Sequence, residues 1–144
     1  MIPANLTAFL VVGCPGSGKS WVCGQLAGLY HYVPHDQFKA APGASYTAEI
    51  CRQSHTAKRP LLIETPFSMS QIVAPLEHVG FHVTPVFIQE HPEVIRQRYW
   101  AREGRELPAG HLTRQRTYQE RATAMGHFQG TSSQVLEYLR ALAS

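Results

Sequence analysis

Four short, largely apolar runs punctuate the chain, the first three closed by glycine, proline or a glutamate and the fourth by Gln89, with amphipathic stretches between them. Ala8–Val12 ends at Gly13 and reads as a strand buried on both faces. From Lys19 to Tyr30, Val22, Leu26 and Leu29 recur at i, i+4 and i+7 and predict an amphipathic helix. Gly24 and Gly28, four apart, would bare one stripe of it for close approach by a neighbour. Tyr32–Pro34 predicts a second strand that delivers His35 and Asp36 at its C-terminal end. Ala41–Ser45 reads as a turn and Tyr46–Lys58 as a helix. Pro60–Glu64 predicts a third strand with a carboxylate at its tip, and Ser68–Val79 a helix through Pro75, closed by Gly80. Phe81–Ile88 predicts a fourth strand, placed at a sheet edge by Pro85, which lacks a ladder donor. Pro92 opens a helix at its first turn that runs to Ala101 or Arg102. Gly104–Gly110 then reads as a loop, before helices near Leu112–Met125 and Ser132–Ala143. Strands alternating with helices predict an α/β fold, an open parallel sheet of about four strands flanked by helices.

Composition narrows the class. The 144 residues suit one domain spanning 1–144, and 44% hydrophobic with 16% charged residues excludes a disordered chain. The apolar runs fall far short of the ~20 residues of a membrane span. Met1–Thr7 shows no basic segment followed by an apolar one, so no secretory signal is expected. Three cysteines without CxxC spacing fit a reducing, cytoplasmic setting rather than disulfides or a zinc framework. Among the eight histidines, His31/His35 and His78/His82 are four apart, but each pair straddles a predicted element boundary and offers no metal set. The net charge is +3. Arg96, Arg98, Arg102, Arg105, Arg114, Arg116 and Arg121 concentrate the basic residues in one stretch that carries only Glu103, Glu106 and Glu120 as acids. Such a stretch is either a surface for an anionic partner or a solvated helical face.

Gly13, Cys14, Pro15, Gly16, Ser17, Gly18, Lys19 and Ser20 match G-x-x-x-x-G-K-[ST] completely, between a predicted strand and a predicted helix. A chance match in a chain this long has odds of about one in two hundred. Glycines let consecutive N–H groups turn toward an anion, and the helix start adds the positive end of its dipole. The motif places Lys19 on the β and γ phosphates of ATP and the Ser20 hydroxyl on Mg²⁺. Cys14 stands inside this cradle, as a reactive thiol or as an inert small side chain.

Asp36 is the only aspartate, which excludes the N/T-K-x-D element of guanine-specific proteins; the chain after the loop is also short for a large motor ATPase. A compact kinase remains. Asp36, at a strand end facing the ligand crevice, is either the base that orients an acceptor hydroxyl or a helix cap. Glu64, at the tip of the third strand, either serves magnesium, through water given its longer side chain, or takes a substrate-side role, or is a solvated acid. Arg98, Arg102 and Arg105, spaced 4 and 3 apart, would share one face if the Pro92 helix persisted through Arg105. They would form an arginine-bearing lid against the charge of a transferred phosphoryl group, or a solvated basic face.

Gly13–Ser20, His35-Asp-Gln-Phe-Lys39, Ile63-Glu-Thr65 and Arg98-x-x-x-Arg102 followed by Leu107-Pro108, taken in order, resemble the kinase domain of bacteriophage polynucleotide 5′-kinase. The resemblance implies a P-loop fold with ATP and Mg²⁺ as cofactors and cytoplasmic action, in the host cell if the chain is phage-encoded. It implies Asp36 as the residue activating the acceptor, Lys39 where the family has a phosphate-contacting arginine, and Arg98 and Arg102 as lid arginines. Glu64 and Thr65 match the acid and threonine after the third strand. Lys39 cannot form the bidentate fork of arginine, Gln37 replaces a second acid, and Glu64 replaces an aspartate. The expected acceptor is the 5′-hydroxyl of a polynucleotide. The alternatives are a hydroxymethylated pyrimidine within DNA and a nucleoside or other small molecule, or, outside enzymes, a nucleotide-binding switch.

Overall fold

The computed structural model describes residues 3–14, 16–35, 43–65 and 70–143. The run that is apolar at every position takes the middle of a sheet. β1 (Thr7–Val12) pairs in parallel with β3 (Leu61–Thr65), from Ala8 opposite Leu61 to Val12 opposite Thr65. On its other side it pairs with β4 (His82–Ile88), from Thr7 opposite His82 to Val12 opposite Phe87. β2 (His31–Tyr32) lies outside β3 and β5 (Gln129–Gly130) outside β4, giving the order β2-β3-β1-β4-β5. The fold is therefore α/β with a five-stranded parallel sheet among the described residues.

Side chains alternating along the strands feed two helical layers. Ala8, Leu10, Val12, Leu61, Ile63 and Phe87 pack against α2 (Gly43–Ser54), α3 (Ser70–His78) and α5 (Ala109–Met125). Val11, Leu62, Val86 and Ile88 pack against α1 (Lys19–Gln25) and α6 (Ser132–Ala143). The Tyr30 hydroxyl donates to the Leu139 carbonyl at 2.7 Å and ties the exit of α1 to α6. α4 (Pro92–Glu103) lies at the C-terminal end of the sheet, with Ile95 and Tyr99 buried. Its start is capped by His91, whose Nδ1 accepts the Glu93 N–H at 3.1 Å. α6 begins with a reciprocal cap: Thr131 Oγ1 accepts the Gln134 N–H at 3.2 Å, and Gln134 Oε1 accepts the Thr131 N–H at 2.8 Å. No helix among the described residues is long and apolar enough to cross a membrane.

Four expectations are corrected. β5 is a fifth strand that hydrophobic patterning misses, because two residues cannot show a period. It exists through long-range pairing, the Phe87 N–H donating to the Phe128 carbonyl and the Gln89 N–H to Gly130. β4 is consequently not an edge strand along its whole length; β5 pairs only with Phe87 and Ile88, and Pro85 lies before that pairing begins. The first helix stops at Gln25 rather than Tyr30. Beyond it the chain tightens into i→i−3 bonds from Leu26 to Cys23 and Leu29 to Leu26, so Leu29 leaves the buried stripe and is exposed. α2 starts at Gly43, inside the expected turn, and ends at Ser54 instead of Lys58.

Gly24 and Gly28 do not serve close packing, since a Cβ at either would meet nothing within 4 Å. Gly24 lies inside α1, where glycine costs about 0.8–1 kcal/mol relative to alanine. Gly24→Ala should therefore raise the urea midpoint, by a stabilisation of about 0.5–1 kcal/mol. A loss of stability in the same titration would mean that this face is packed after all.

Candidate active site

The loop between β1 and α1 is shaped by what a side chain would strike. A Cβ on Gly13 would stand 2.4 Å from Ser17 Oγ, and one on Gly16 would stand 3.0 Å from the Ile95 carbonyl of α4. Gly16 and Gly18 adopt φ of +88° and +103°, the region that favours glycine. The amides of Gly16, Gly18 and Ser20 donate to no protein acceptor among the described residues, while Ser17 N–H is turned back to the Cys14 carbonyl at 3.1 Å. α1 has only seven residues, so the capacity to hold an anion rests more on these amides and on Lys19 than on a helix dipole. Lys19 Nζ donates to the Gly13 carbonyl at 2.6 Å. Burial lowers its pKa to about 8, with the Glu64 carboxylate opposing that shift.

Glu64 is buried, not solvated. Its Oε1 accepts the Tyr32 hydroxyl at 3.0 Å and the His35 N–H at 3.2 Å, and its Oε2 faces the Ser20 hydroxyl at 3.4 Å. The last distance is long for a hydroxyl–carboxylate bond, ordinarily about 2.5–2.7 Å, so Ser20 and Glu64 are neighbours rather than tight partners. Burial and the adjacent carboxylate push the Tyr32 phenol well above its ordinary value. Behind it, the Tyr46 hydroxyl accepts the Glu64 N–H at 3.3 Å and donates to the Val33 carbonyl at 2.7 Å, and the His35 ring stands edge-on to Tyr46. Two strands and the starts of two helices thus meet at Glu64.

The three arginines expected on one face diverge. Gly104, at φ +68°, ends α4 before Arg105. Arg98 reaches the loop, where its Nη1 donates to the Ser17 carbonyl at 2.9 Å. Arg102 instead pairs with Glu103 at 3.0 Å and lies over the Tyr99 ring, which Arg105 approaches from beyond the helix. Burial raises the Cys14 thiol pKa, and the thiol donates to Gln115 Oε1 at 3.8 Å, so Cys14 is an inert loop residue rather than a reactive one. No group of three or more metal-ligating side chains occurs among the described residues. Pro15, Asp36 and Lys39 lie outside the described residues, as does the side chain of Thr65.

Several residues at the site have no motif in the sequence. Glu90, two positions past β4, has its Oε1 2.7 Å from both the amide and the hydroxyl of Ser132 at the start of α6. Gln115 of α5 bridges Glu90 and Cys14. Arg114 is close enough to Lys19 and Cys14 to lower both of their pKa values. His111 is held below its ordinary value by burial first and then by Arg114, Arg102, Lys19 and Arg105, which brings the start of α5 into the same cationic region. A helix face rich in arginine looks alike wherever it points, so only the packing of α5 could single out Arg114.

The groups implied by the motif fit what is present. A buried Ser17 hydroxyl without a partner among the described residues, unengaged loop amides and Lys19 form an anion cradle. The Ser20 hydroxyl and the Glu64 carboxylate are hard oxygen donors of the kind that suits Mg²⁺.

No protein-family pattern and no curated protein match the chain in sequence. Solved structures do match in shape. A gluconokinase from Sinorhizobium meliloti 1021 superposes with a TM-score of 0.60 at 19% identity, covering 97% of this chain and 95% of its own. The protein APE1195 superposes with a TM-score of 0.54 at 14% identity, covering 99% and 96%. At these identities the likeness is one of fold, and it extends over nearly the whole of each chain compared.

Glu64 has a structural duty that can be separated from its charge. Glu64→Ala leaves the Tyr32 hydroxyl and the His35 amide without their acceptor and should cost about 1–3 kcal/mol in urea unfolding. Glu64→Gln retains an oxygen for both and should cost less than half as much. Equal costs for the two would show that the contribution of Glu64 to stability does not come from its role as acceptor for Tyr32 and His35.

Proposed function

We propose that the chain is an ATP-dependent phosphotransferase that moves the γ-phosphoryl group to a hydroxyl of a small molecule. The observation that carries this reading is the complete Gly13–Ser20 loop, with Lys19, Ser20, Glu64 and Arg98 gathered about it at the C-terminal end of the sheet. The small-molecule acceptor is supported by the gluconokinase, whose fold matches over 95% of its length.

Bound ATP with Mg²⁺ supplies the transferable phosphoryl group and neutralises part of its charge. The chain's own residues do the rest. The loop amides and Lys19 hold the phosphates, and the arrangement of Ser20 and Glu64 is suited to the metal. Arg98 presents a guanidinium to the transferred group. Arg102 joins it only by leaving Tyr99 and Glu103. Asp36 accepts the proton of the acceptor hydroxyl, and Lys39 steadies the phosphate beside it.

A second reading has its own support. Arg96 lines a cavity with Trp100, which is 58% exposed, and Arg102, Arg105, Arg116 and Arg121 are exposed elsewhere on α4, α5 and the segment between them. A basic surface with an aromatic platform suits an acceptor that is part of a nucleic acid, a polynucleotide 5′-hydroxyl or a hydroxymethylated pyrimidine in DNA. Labelled ATP offered with gluconate, other sugar acids and polyols, nucleosides, 5′-hydroxyl DNA and RNA, and DNA containing 5-hydroxymethyluracil separates the readings by where label appears. Transfer to nucleic acid that falls steeply with salt would favour the second. ATP binding without acceptor-stimulated ADP release would leave only a nucleotide-binding switch.

Lys19→Ala should reduce transfer by at least about 10²-fold, because no amide replaces its charge, with an unchanged urea midpoint. Wild-type turnover in a folded Lys19→Ala protein would remove the P-loop reading.

Asp36→Asn should leave the affinity for an ATP analogue within about twofold and lower transfer by about 10²-fold or more, the scale of a positioned base. A capping role for Asp36 predicts near-silence instead, since asparagine caps as well as aspartate.

A further inference from the structure

We infer that Glu90 is a positioning residue for the triphosphate site: its buried carboxylate orients the Arg98 guanidinium over Gly18 while holding the first turn of α6 in place. This rests on the phosphotransferase reading of the loop. The Glu90 side chain is 8% exposed and follows the end of β4 by two residues. One oxygen, Oε1, receives the Ser132 N–H and the Ser132 hydroxyl, both at 2.7 Å, and has Arg98 Nη1 at 3.6 Å. That same Nη1 donates to the Ser17 carbonyl of the loop. A Cβ placed on Gly18 would meet Ser132 Cβ at 3.1 Å and Arg98 Nη1 at 3.2 Å, so the two partners of Glu90 are the residues that close over this glycine. The backbone of Glu90 is fastened as well: Gln115 Nε2 donates to its carbonyl at 2.9 Å, and its own N–H reaches Gln115 Oε1 at 3.5 Å.

Capping alone does not call for a carboxylate here. The Ser132 amide and hydroxyl need only an acceptor, which a glutamine oxygen would supply, and α6 already has the reciprocal cap of Thr131 and Gln134. A buried charge is costly unless an opposite charge answers it, and the cation that faces Glu90 is Arg98. Nη1 of Arg98 is held between the Ser17 carbonyl and Glu90, while Nε and Nη2 have no protein partner among the described residues. A planar guanidinium with one nitrogen fixed presents the other two as a fork, and a fork discriminates only when its plane is set. Arg98 is 42% exposed along its side chain, so without Glu90 it would sample other rotamers.

A double-mutant cycle tests this. Glu90→Gln should lower kcat about tenfold with KM for ATP within about twofold, the split expected when an interaction made in the transition state is misplaced. In an Arg98→Ala background Glu90→Gln should have no further effect. An additive cycle overturns the inference. Independently of turnover, the Arg98 guanidinium signal of ¹⁵N-arginine-labelled, ligand-free protein, identified by its loss in Arg98→Ala, should be resolved and slow to exchange. In Glu90→Gln it should merge with the mobile arginines; an unchanged signal also overturns the inference. Glu90→Asp, which keeps the charge but shortens its reach, gives the same comparison if Glu90→Gln does not fold. A wild-type chain that binds an ATP analogue yet transfers phosphate to no acceptor removes the phosphotransferase reading. The Arg98 signal then still decides about Glu90. A chain that binds no nucleoside triphosphate overturns both.

Discussion

Strand β1 lies between β3 and β4 with Ala8, Leu10 and Val12 packed into one helical layer and Val11 into the other, so its C-terminal end has almost no freedom. The chain leaving Val12 must reverse into α1 beneath α4 and beside α6, and the space for that reversal is set by Ile95, Ser132 and Arg98. The glycines of the loop follow from this confinement as much as from any ligand. A strand fixed on both sides and crowded walls constrain the run of backbone amides that follows.

The same strand order explains why the polar residues converge. The five strands among the described residues are all parallel, so their C-terminal ends share one edge of the sheet. The ends of β1, β2 and β3 bring the loop, the Tyr32–His35 segment and Glu64 together, while those of β4 and β5 bring Glu90 and Ser132. β3 and β4 are the immediate neighbours of β1, which places one buried carboxylate on each side of the loop. Glu64 faces Lys19 and Ser20; Glu90 faces Arg98. Each acid answers a cation that would otherwise be buried or adrift, so the site gathers positive charge without having to bury it unpaired.

The arginine-rich stretch divides its labour in a way that spacing cannot convey. Arg98 is drawn to the loop by a carbonyl and a carboxylate, whereas Arg102, one turn later, rests on Tyr99 and Glu103. Arg114 approaches Lys19 from a different helix altogether. The Arg102 side chain is itself 55% exposed, and a cation–π contact made by a solvated cation is worth only about 0.5–1 kcal/mol, so the rest position of Arg102 is a shallow one that an anion could outbid.

Much of this was legible in the chain itself. Apolar runs ending in glycine or an acid identify β1 and β3, because a strand buried on both faces must be apolar throughout, and the mixed run up to Ile88 gives most of β4. The loop from Gly13 to Ser20 and the acid at Glu64 are local in sequence, and so is the start of α4 at Pro92. What periodicity could not report is which segment answers which. β5 has two residues and exists only because β4 is there to pair with it. The first helix ends at Gln25 although its apolar spacing continues to Leu29. Gln115 meets Cys14 across 101 positions, and Glu90 meets Ser132 across 42. The roles of Glu90, Gln115 and Arg114 are therefore properties of the packed fold: a side chain's hydrogen-bonding capacity is written in its residue type, but its partner is decided only when distant segments are brought to the same edge of the sheet.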